Sequence, residues 1–449
     1  MQVQVLEKPQ ADQTVLERLA SEVRGSVHAQ RLLKTHASWQ YPDGRYCEFY
    51  LPSTNQRKGY ADRDFGDIVP YLWLLSPTKA EQYAKTLDAH YDFGIISDND
   101  QYRSFDNLDY VFGYYLLYRL TSAGEWANRF LAIADELVSR FCGDGGTPEF
   151  VRKSGARSIK QSAFSLGILE IAAFAYGLGG GKQHHDAITV VLQKLLKVKS
   201  NGHEPRALQP RWRLETPFFS PSWIALRGKA PFRLFKDNAN WLHSLIEIDR
   251  HCPTAESEPL LHQLIPEIVQ TFYRAFPPES EAIIAVKGKL EGTRPSLIGL
   301  PLAFDLDRVL HTSQELASLW PEPARRSFID AALAWYDGAD SIVLAESNTD
   351  QHLDIAVDLA TAAIQNRLAF GQKRSAKDIL YKCRLAVEQH ASSKGYMTFP
   401  PRPGGGDIVC VKYNFLLLKL DICDYVIRQY DFLPDADLRF LSDIFLVDR

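Results

Sequence analysis

The sequence predicts an all-α chain, a string of helical hairpins that closes into a ring of inner helices wrapped by outer ones. Three observations predict it. Several stretches are apolar on most faces, such as residues 67–75 (DIVPYLWLL) and 109–120 (DYVFGYYLLYRL), and such helices are buried ones. Amphipathic, charged helices alternate with them along the chain. Strand-like alternation is scarce, with 282–286 and 395–399 as the candidates for short strands.

Taken in order, residues 15–35 carry apolar residues at Val15, Leu16, Leu19, Val23, Val27, Leu32 and Leu33, close to the 3.6-residue period, and predict one helix. Residues 67–75 then form an inner helix and 78–90 its amphipathic partner. The pairs 109–120 with 123–141, and 162–178 with 186–197, repeat that order. Further inner helices start near 238, 297, 354 and 412, with outer helices at 258–276, 323–337 and 375–391. Pro301 breaks the one near 297. The whole chain, 1–449, reads as a single domain with one long insertion at 199–237. That insertion holds eight cations, among them Arg213, interleaved with aromatics such as Trp223, and its prolines preclude a long helix.

Composition narrows the function classes. The chain has 449 residues, 45% hydrophobic and 24% charged, and 51 Lys+Arg against 55 Asp+Glu give a net charge of −4. Those proportions exclude a long disordered chain and disfavour a dedicated nucleic-acid binder. No signal-peptide pattern opens the sequence and no stretch is long and apolar enough to span a bilayer, so a cytoplasmic protein is expected. The six cysteines are scattered without a CxxC, which predicts reduced, buried thiols and no metal site.

Polar clusters stand at the N-terminal ends of the inner helices. Tyr60, Asp64 and Asp67 precede or open the first; Tyr102, Arg103, Asp106, Asp109 and Tyr110 the second; Gln161 the third. Asn240, Trp241 and His243 open the fourth, His352, Asp354 and Asp358 a later one, and Tyr413 and Asn414 the last. Asp64/Asp67 and Asp106/Asp109 share an i,i+3 spacing, so each pair lies on one helix face. Helix capping alone would account for either pair. Recurrence on successive inner helices, with aromatics beside them, points instead to a sugar site, where rings stack on apolar sugar faces and carboxylates bind hydroxyls or move protons. A buried Asn such as Asn414 needs hydrogen-bond partners, which hints at a polar cavity.

The alternation of apolar and amphipathic helices, with polar clusters at one end, resembles the (α/α) toroids of the six-hairpin glycosidase-like group over roughly residues 15–430. No family signature accompanies that architectural resemblance. It implies a carbohydrate-active hydrolase, lyase or epimerase working in a central cavity, and the basic insertion adds an acidic sugar or oligosaccharide as substrate. Asp64, Asp106, Asp109, Asp354, His352 and His243 are its candidate catalytic residues. Tyr60, Asp67, Tyr102, Arg103, Tyr110, Gln161, Arg213, Trp223, Asn240, Trp241, Asp358, Tyr413 and Asn414 are its candidate binding residues. No cofactor, nucleic acid or membrane span is expected. A terpenoid cyclase, with paired Asp holding Mg²⁺ on a diphosphate, is the alternative, although neither DDxxD nor DxDD is present. A noncatalytic helical scaffold is the third possibility.

Overall fold

The computed structural model describes residues 13–142, 147–157, 160–162, 167–200, 211–213, 244–265, 381, 384–385 and 394–446, less short gaps at 92–93, 99, 149, 399–407 and 430–431. In chain order the main elements are α1 (Gln13–Gly25), α2 (Val27–Thr35), β1 (Phe49–Leu51), β2 (Gln56–Lys58), α3 (Phe65–Leu75), α4 (Pro77–His90), β3 (Ser97–Asp98), β4 (Gln101–Arg103), α5 (Ser104–Thr121) and α6 (Gly124–Cys142). There follow β5 (Phe150–Arg152), β6 (Lys160–Ser162), α7 (Gly167–Gly177), α8 (Lys182–Ser200), β7 (Arg211–Arg213), β8 (Val409–Cys410), α9 (Val411–Leu416), α10 (Leu418–Gln429) and α11 (Asp435–Leu441). Among the described residues helices dominate and every strand is two or three residues long. The inner helices expected near 297 and 354, the Gly-rich loop before α9 and most of the 199–237 insertion lie outside the described residues.

The chain divides into two compact units, one comprising Glu7–Gly94, Phe112–Trp126 and Ala331–Arg449, the other Met1–Leu6, Ile95–Val111 and Ala127–Asp330. In the first, α3 and α4 form an antiparallel hairpin joined by Ser76 alone, and Pro77 at the start of α4 supplies the preset φ of a first helical turn. Ten of the eleven α3 residues are buried, with only Asp67 left half-exposed, as the apolar sequence dictates. α3 also packs on α1 and α9. An aromatic core sits behind its first turn. Phe65 meets Tyr83 and Tyr114 at ring distances of 5.4 and 5.1 Å, and Tyr46 meets Tyr83 and Phe415 at 4.9 and 5.5 Å. The Phe65 ring needs Gly113 beside it, because a Cβ there would lie 2.1 Å from Cδ1. β1 is the centre of a three-stranded antiparallel sheet ordered β2-β1-β8, with Phe49 opposite Cys410.

In the second unit, α7 and α8 form the corresponding hairpin, and β3, β4 and β5 form an antiparallel sheet in which Tyr102 opposes Val151. β6 pairs with β7, Gln161 opposite Trp212.

Two expected boundaries are corrected. The single helix over 15–35 is two helices, because Gly25 and Ser26 interrupt it. Ser26 has extended backbone (φ −70°, ψ 157°), and its hydroxyl accepts the Ala29 amide and donates to Asp421 at 2.8 Å. The helix expected from 162 begins at Gly167, because 160–162 is spent on the β6–β7 pairing.

Asn107 and Asn414 occupy equivalent places in the two units. Asn107 accepts the Ile96 amide (2.8 Å) and donates to the Ile96 and Arg103 carbonyls (3.0 and 2.8 Å). Asn414 accepts the Met397 amide (3.1 Å) and donates to the Met397 and Cys410 carbonyls (3.0 and 2.6 Å). Each amide thereby clips an upstream loop residue onto the first turns of an inner helix, four residues beyond a strand end. The polarity of Asn414 serves that clip.

Candidate active site

The strongest constellation of described side chains within one unit stands at the start of α3. The chain turns there through the short 3-10 segment Asp62–Asp64, whose geometry follows from the Ala61 amide bonding the Tyr46 carbonyl and the Asp64 amide bonding Ala61. Asp64 occupies the N-cap position of α3, yet its side chain makes no capping bond. It faces Lys412 of α9, with Nζ 3.5 Å from Oδ1, and Lys412 also pairs with Asp67. The i,i+3 spacing read from the sequence thus serves a shared cation rather than the helix end. Burial pushes the Asp64 carboxyl up in pKa, opposed by Lys412 and reinforced by Asp67.

Glu48 and Arg63 complete this cluster. Arg63 donates to Glu48 at 2.5 Å, and burial raises the Glu48 carboxyl against the pull of Arg63. The strand register that sets Phe49 opposite Cys410 also brings the Glu48 carbonyl to the Val411 amide (3.1 Å), so Lys412 arrives beside Glu48 by backbone geometry.

Asp62, one turn earlier, is buried. Its Oδ2 accepts from the Tyr91 hydroxyl at 2.5 Å and from Arg45 at 3.3 Å, while Oδ1 has no hydrogen-bond partner. Burial raises this carboxyl as well. Arg45 also contacts His90 (2.7 Å) and stacks 3.7 Å from the Tyr60 ring centre. Tyr60 is 46% exposed and lies 4.8 Å from the Tyr41 ring. Arg45 and His90, with Asp43, Glu81 and Lys85, also line an open groove of about 650 Å³ along α4.

In the other unit, Asp106 and Asp109 lie half-buried on the first turns of α5, as their spacing predicts, and Arg103 is exposed at the end of β4. Tyr102 is buried on β4 with Arg140 4.5 Å over its ring, and Tyr110 is fully buried in the core. Tyr413 is likewise buried, 7% exposed, on α9. Gln161 and Arg213 are placed on β6 and β7. Trp223, Asn240, Trp241, His243, His352, Asp354 and Asp358 lie outside the described residues. Sequence reasoning assigned no role to Glu48, Arg63 or Lys412. Arg63 and Lys412 stand in the polar clusters that precede or open inner helices, and Glu48 left no signal.

No protein-family model and no curated protein matches the chain. Among solved structures it is similar to the Lin0763 protein from Listeria innocua (11% identity, TM-score 0.46, covering 92% of this chain and 98% of that one). It is also similar to an unsaturated glucuronyl hydrolase specific for heparin (10%, 0.42, 97% and 99%) and to the cellobiose 2-epimerase from Spirochaeta thermophila (12%, 0.43, 93% and 98%). At these identities and TM-scores the chemistry is left to the side chains themselves.

Proposed function

We propose that the chain is a carbohydrate-active enzyme, a hydrolase, lyase or epimerase on an acidic sugar or oligosaccharide, with Asp64 as its principal proton carrier. The observation that carries this reading is the Asp64 carboxyl. It stands at a helix start without capping it, burial raises its pKa, and it shares Lys412 with a second carboxylate one turn on. A carboxyl raised in this way keeps its proton to higher pH and can deliver it to a leaving oxygen. In hydrolysis Asp64 gives its proton to the glycosidic oxygen as the C–O bond breaks, water forms the new C–O bond, and the proton that water loses returns to Asp64. In elimination the same group, ionised, takes a proton from carbon as the neighbouring C–O bond breaks and passes it to the leaving oxygen; in epimerisation it takes the proton and solvent returns one to the opposite face. Asp67 and Lys412 then hold sugar hydroxyls, with the part-exposed Tyr60 four residues before Asp64 in the chain.

The eight cations of the 199–237 insertion support an anionic substrate. The reading uses no cofactor. Among the described residues no helix is long and apolar enough to cross a membrane.

The test is a thermal-shift screen of the protein against neutral and uronic oligosaccharides, and against prenyl diphosphates with and without Mg²⁺, followed by turnover of any hit by wild type and Asp64→Asn. A melting-temperature rise with acidic sugars, and loss of turnover by about 10²-fold or more in the variant, is expected. Stabilisation only by diphosphate with Mg²⁺, or wild-type turnover in Asp64→Asn, would overturn the reading.

A further inference from the structure

One face of the β3-β4-β5 sheet carries cations that no acid neutralises. The central residues of β4 and β5, Tyr102 and Val151, are buried and oppose each other in the register, with Arg140 of α6 4.5 Å over the Tyr102 ring. A one-residue slip would turn both out to solvent, so burial pins the register. The same register sends Gln101, Arg103, Phe150 and Arg152 to the opposite face, with Gln101 opposite Arg152 and Arg103 opposite Phe150. Arg103 and Arg152 are therefore diagonal neighbours, about 7–8 Å apart and close enough for their long side chains to meet one ligand. Both are exposed, and so is Lys153, whose amide bonds the Asp100 carbonyl at 3.0 Å. Among the described residues none of these three cations makes an ion pair. Two acids flank the patch: Asp98, opposite Gln101 on β3, and the exposed Asp100 in the turn between β3 and β4.

We propose that this sheet face is a subsite for the carboxylates of a uronic oligosaccharide: Arg103 and Arg152 grip them with their guanidinium forks, Lys153 adds charge at the edge, and Phe150 gives a sugar ring an apolar contact. The inference rests on the reading of the substrate as an acidic sugar, and it does not need Asp64 to be the proton carrier. A guanidinium is planar, presents paired N–H donors that match a carboxylate, and is more weakly hydrated than an ammonium, so it recognises by geometry as well as by charge. Paired strands rather than a loop carry both arginines, which holds the two forks at a set separation. Arg103 ends β4 and leads directly into α5, whose first turns carry the half-buried Asp106 and Asp109, so the cations and two candidate acids share one helix start. Asp98 and Asp100 favour a short ligand with spaced charges over a duplex nucleic acid, whose dense phosphates they would repel.

The test is isothermal titration calorimetry of the full chain with a galacturonate tetrasaccharide, a neutral glucose tetrasaccharide and a short DNA duplex. The galacturonate should bind, and the neutral sugar should bind about 10-fold or more weakly. Arg103→Gln and Arg152→Gln should each weaken the galacturonate by about 10-fold, and Lys153→Gln by about 2–3-fold, with the neutral sugar unmoved. Lys58→Gln, which removes an exposed cation on β2 in the other unit, should leave both affinities unchanged. The three cations are exposed, so each variant should melt at the wild-type temperature. No galacturonate binding by wild type, undiminished binding in the Arg103→Gln/Arg152→Gln double variant, an equal loss in Lys58→Gln, or tighter binding of the DNA would overturn the proposal. Equilibrium binding needs no turnover, so its failure is separate from that of the proposed activity. Turnover of oligouronates by wild type, with full affinity in the double variant, removes this subsite alone. Weakened binding in the variants, with normal turnover in Asp64→Asn, removes the proton carrier alone.

Discussion

His36 should make the protein acid-labile, and the contribution can be isolated. The ring is 1% exposed, with Nδ1 2.9 Å from the Tyr46 hydroxyl and Nε2 2.8 Å from the Lys79 ammonium. Lys79 can only donate, so Nε2 is the acceptor nitrogen and Nδ1 carries the hydrogen. Protonating Nε2 would set two cations against each other in a buried place. Burial, then Lys79, accordingly lowers the His36 pKa from 6.5 to about 4. The unfolded chain takes up this proton first as pH falls. Stability is therefore complete above pH 6.5, declines as pH falls towards 4 and is level below that. At pH 4.5 the loss from this one residue is about 2–3 kcal/mol. His36→Gln keeps a neutral donor and acceptor without the titration. Equilibrium urea denaturation of both proteins between pH 7.5 and 4.5 should show the stability difference moving by that amount in favour of the variant. Parallel pH profiles would refute the reasoning, whatever the offset at pH 7.5.

Three further outcomes are expected. Asn107→Ala and Asn414→Ala each strip partners from one buried backbone amide and two carbonyls, and each should cost about 2–3 kcal/mol in urea denaturation. Gly113→Ala places its Cβ within 2.1 Å of the Phe65 ring; the overpacking outweighs the helix-propensity gain, and calorimetry should register a net loss of about 1–3 kcal/mol. Lys412→Met removes the cation shared by Asp64 and Asp67, so the Asp64 titration midpoint in ¹³C-carboxyl NMR should rise and, on an active substrate, the alkaline limb of kcat/KM should move to higher pH.

The sequence announced the helices better than the chemistry. Hydrophobic period is a local property, and α3, α4, α6 and α8 fall within a few residues of where 67–75, 78–90, 123–141 and 186–197 place them. The misplaced boundaries had non-local causes. Ser26 ends α1 partly by bonding Asp421, 395 residues away, and 160–162 leaves the helix for a strand partner near 212. The same limit governed the site. Asp64 and Asp67 were visible because their spacing is a helical one. Lys412 lies 348 residues from Asp64, and Glu48 meets Arg63 across the β1–β2 hairpin, so neither partnership has a helical spacing to announce it. Asn414 illustrates a related limit: a buried amide shows that it needs partners without showing that they are backbone groups.

The paired asparagine clips separate two things that most loops confound, the length of a connection and the place where it ends. Asn107 fastens a residue 11 positions upstream and Asn414 one 17 positions upstream, yet both hold a helix start with the same three bonds. Lengthening the closed segment from 11 to 17 residues costs only about 0.4 kcal/mol of closure entropy. The span between the fastened residue and the helix can therefore grow, shrink or change composition while the helix end stays in register. Such a scaffold can acquire new ligand preferences by rewriting its loops, without renegotiating the packing beneath them.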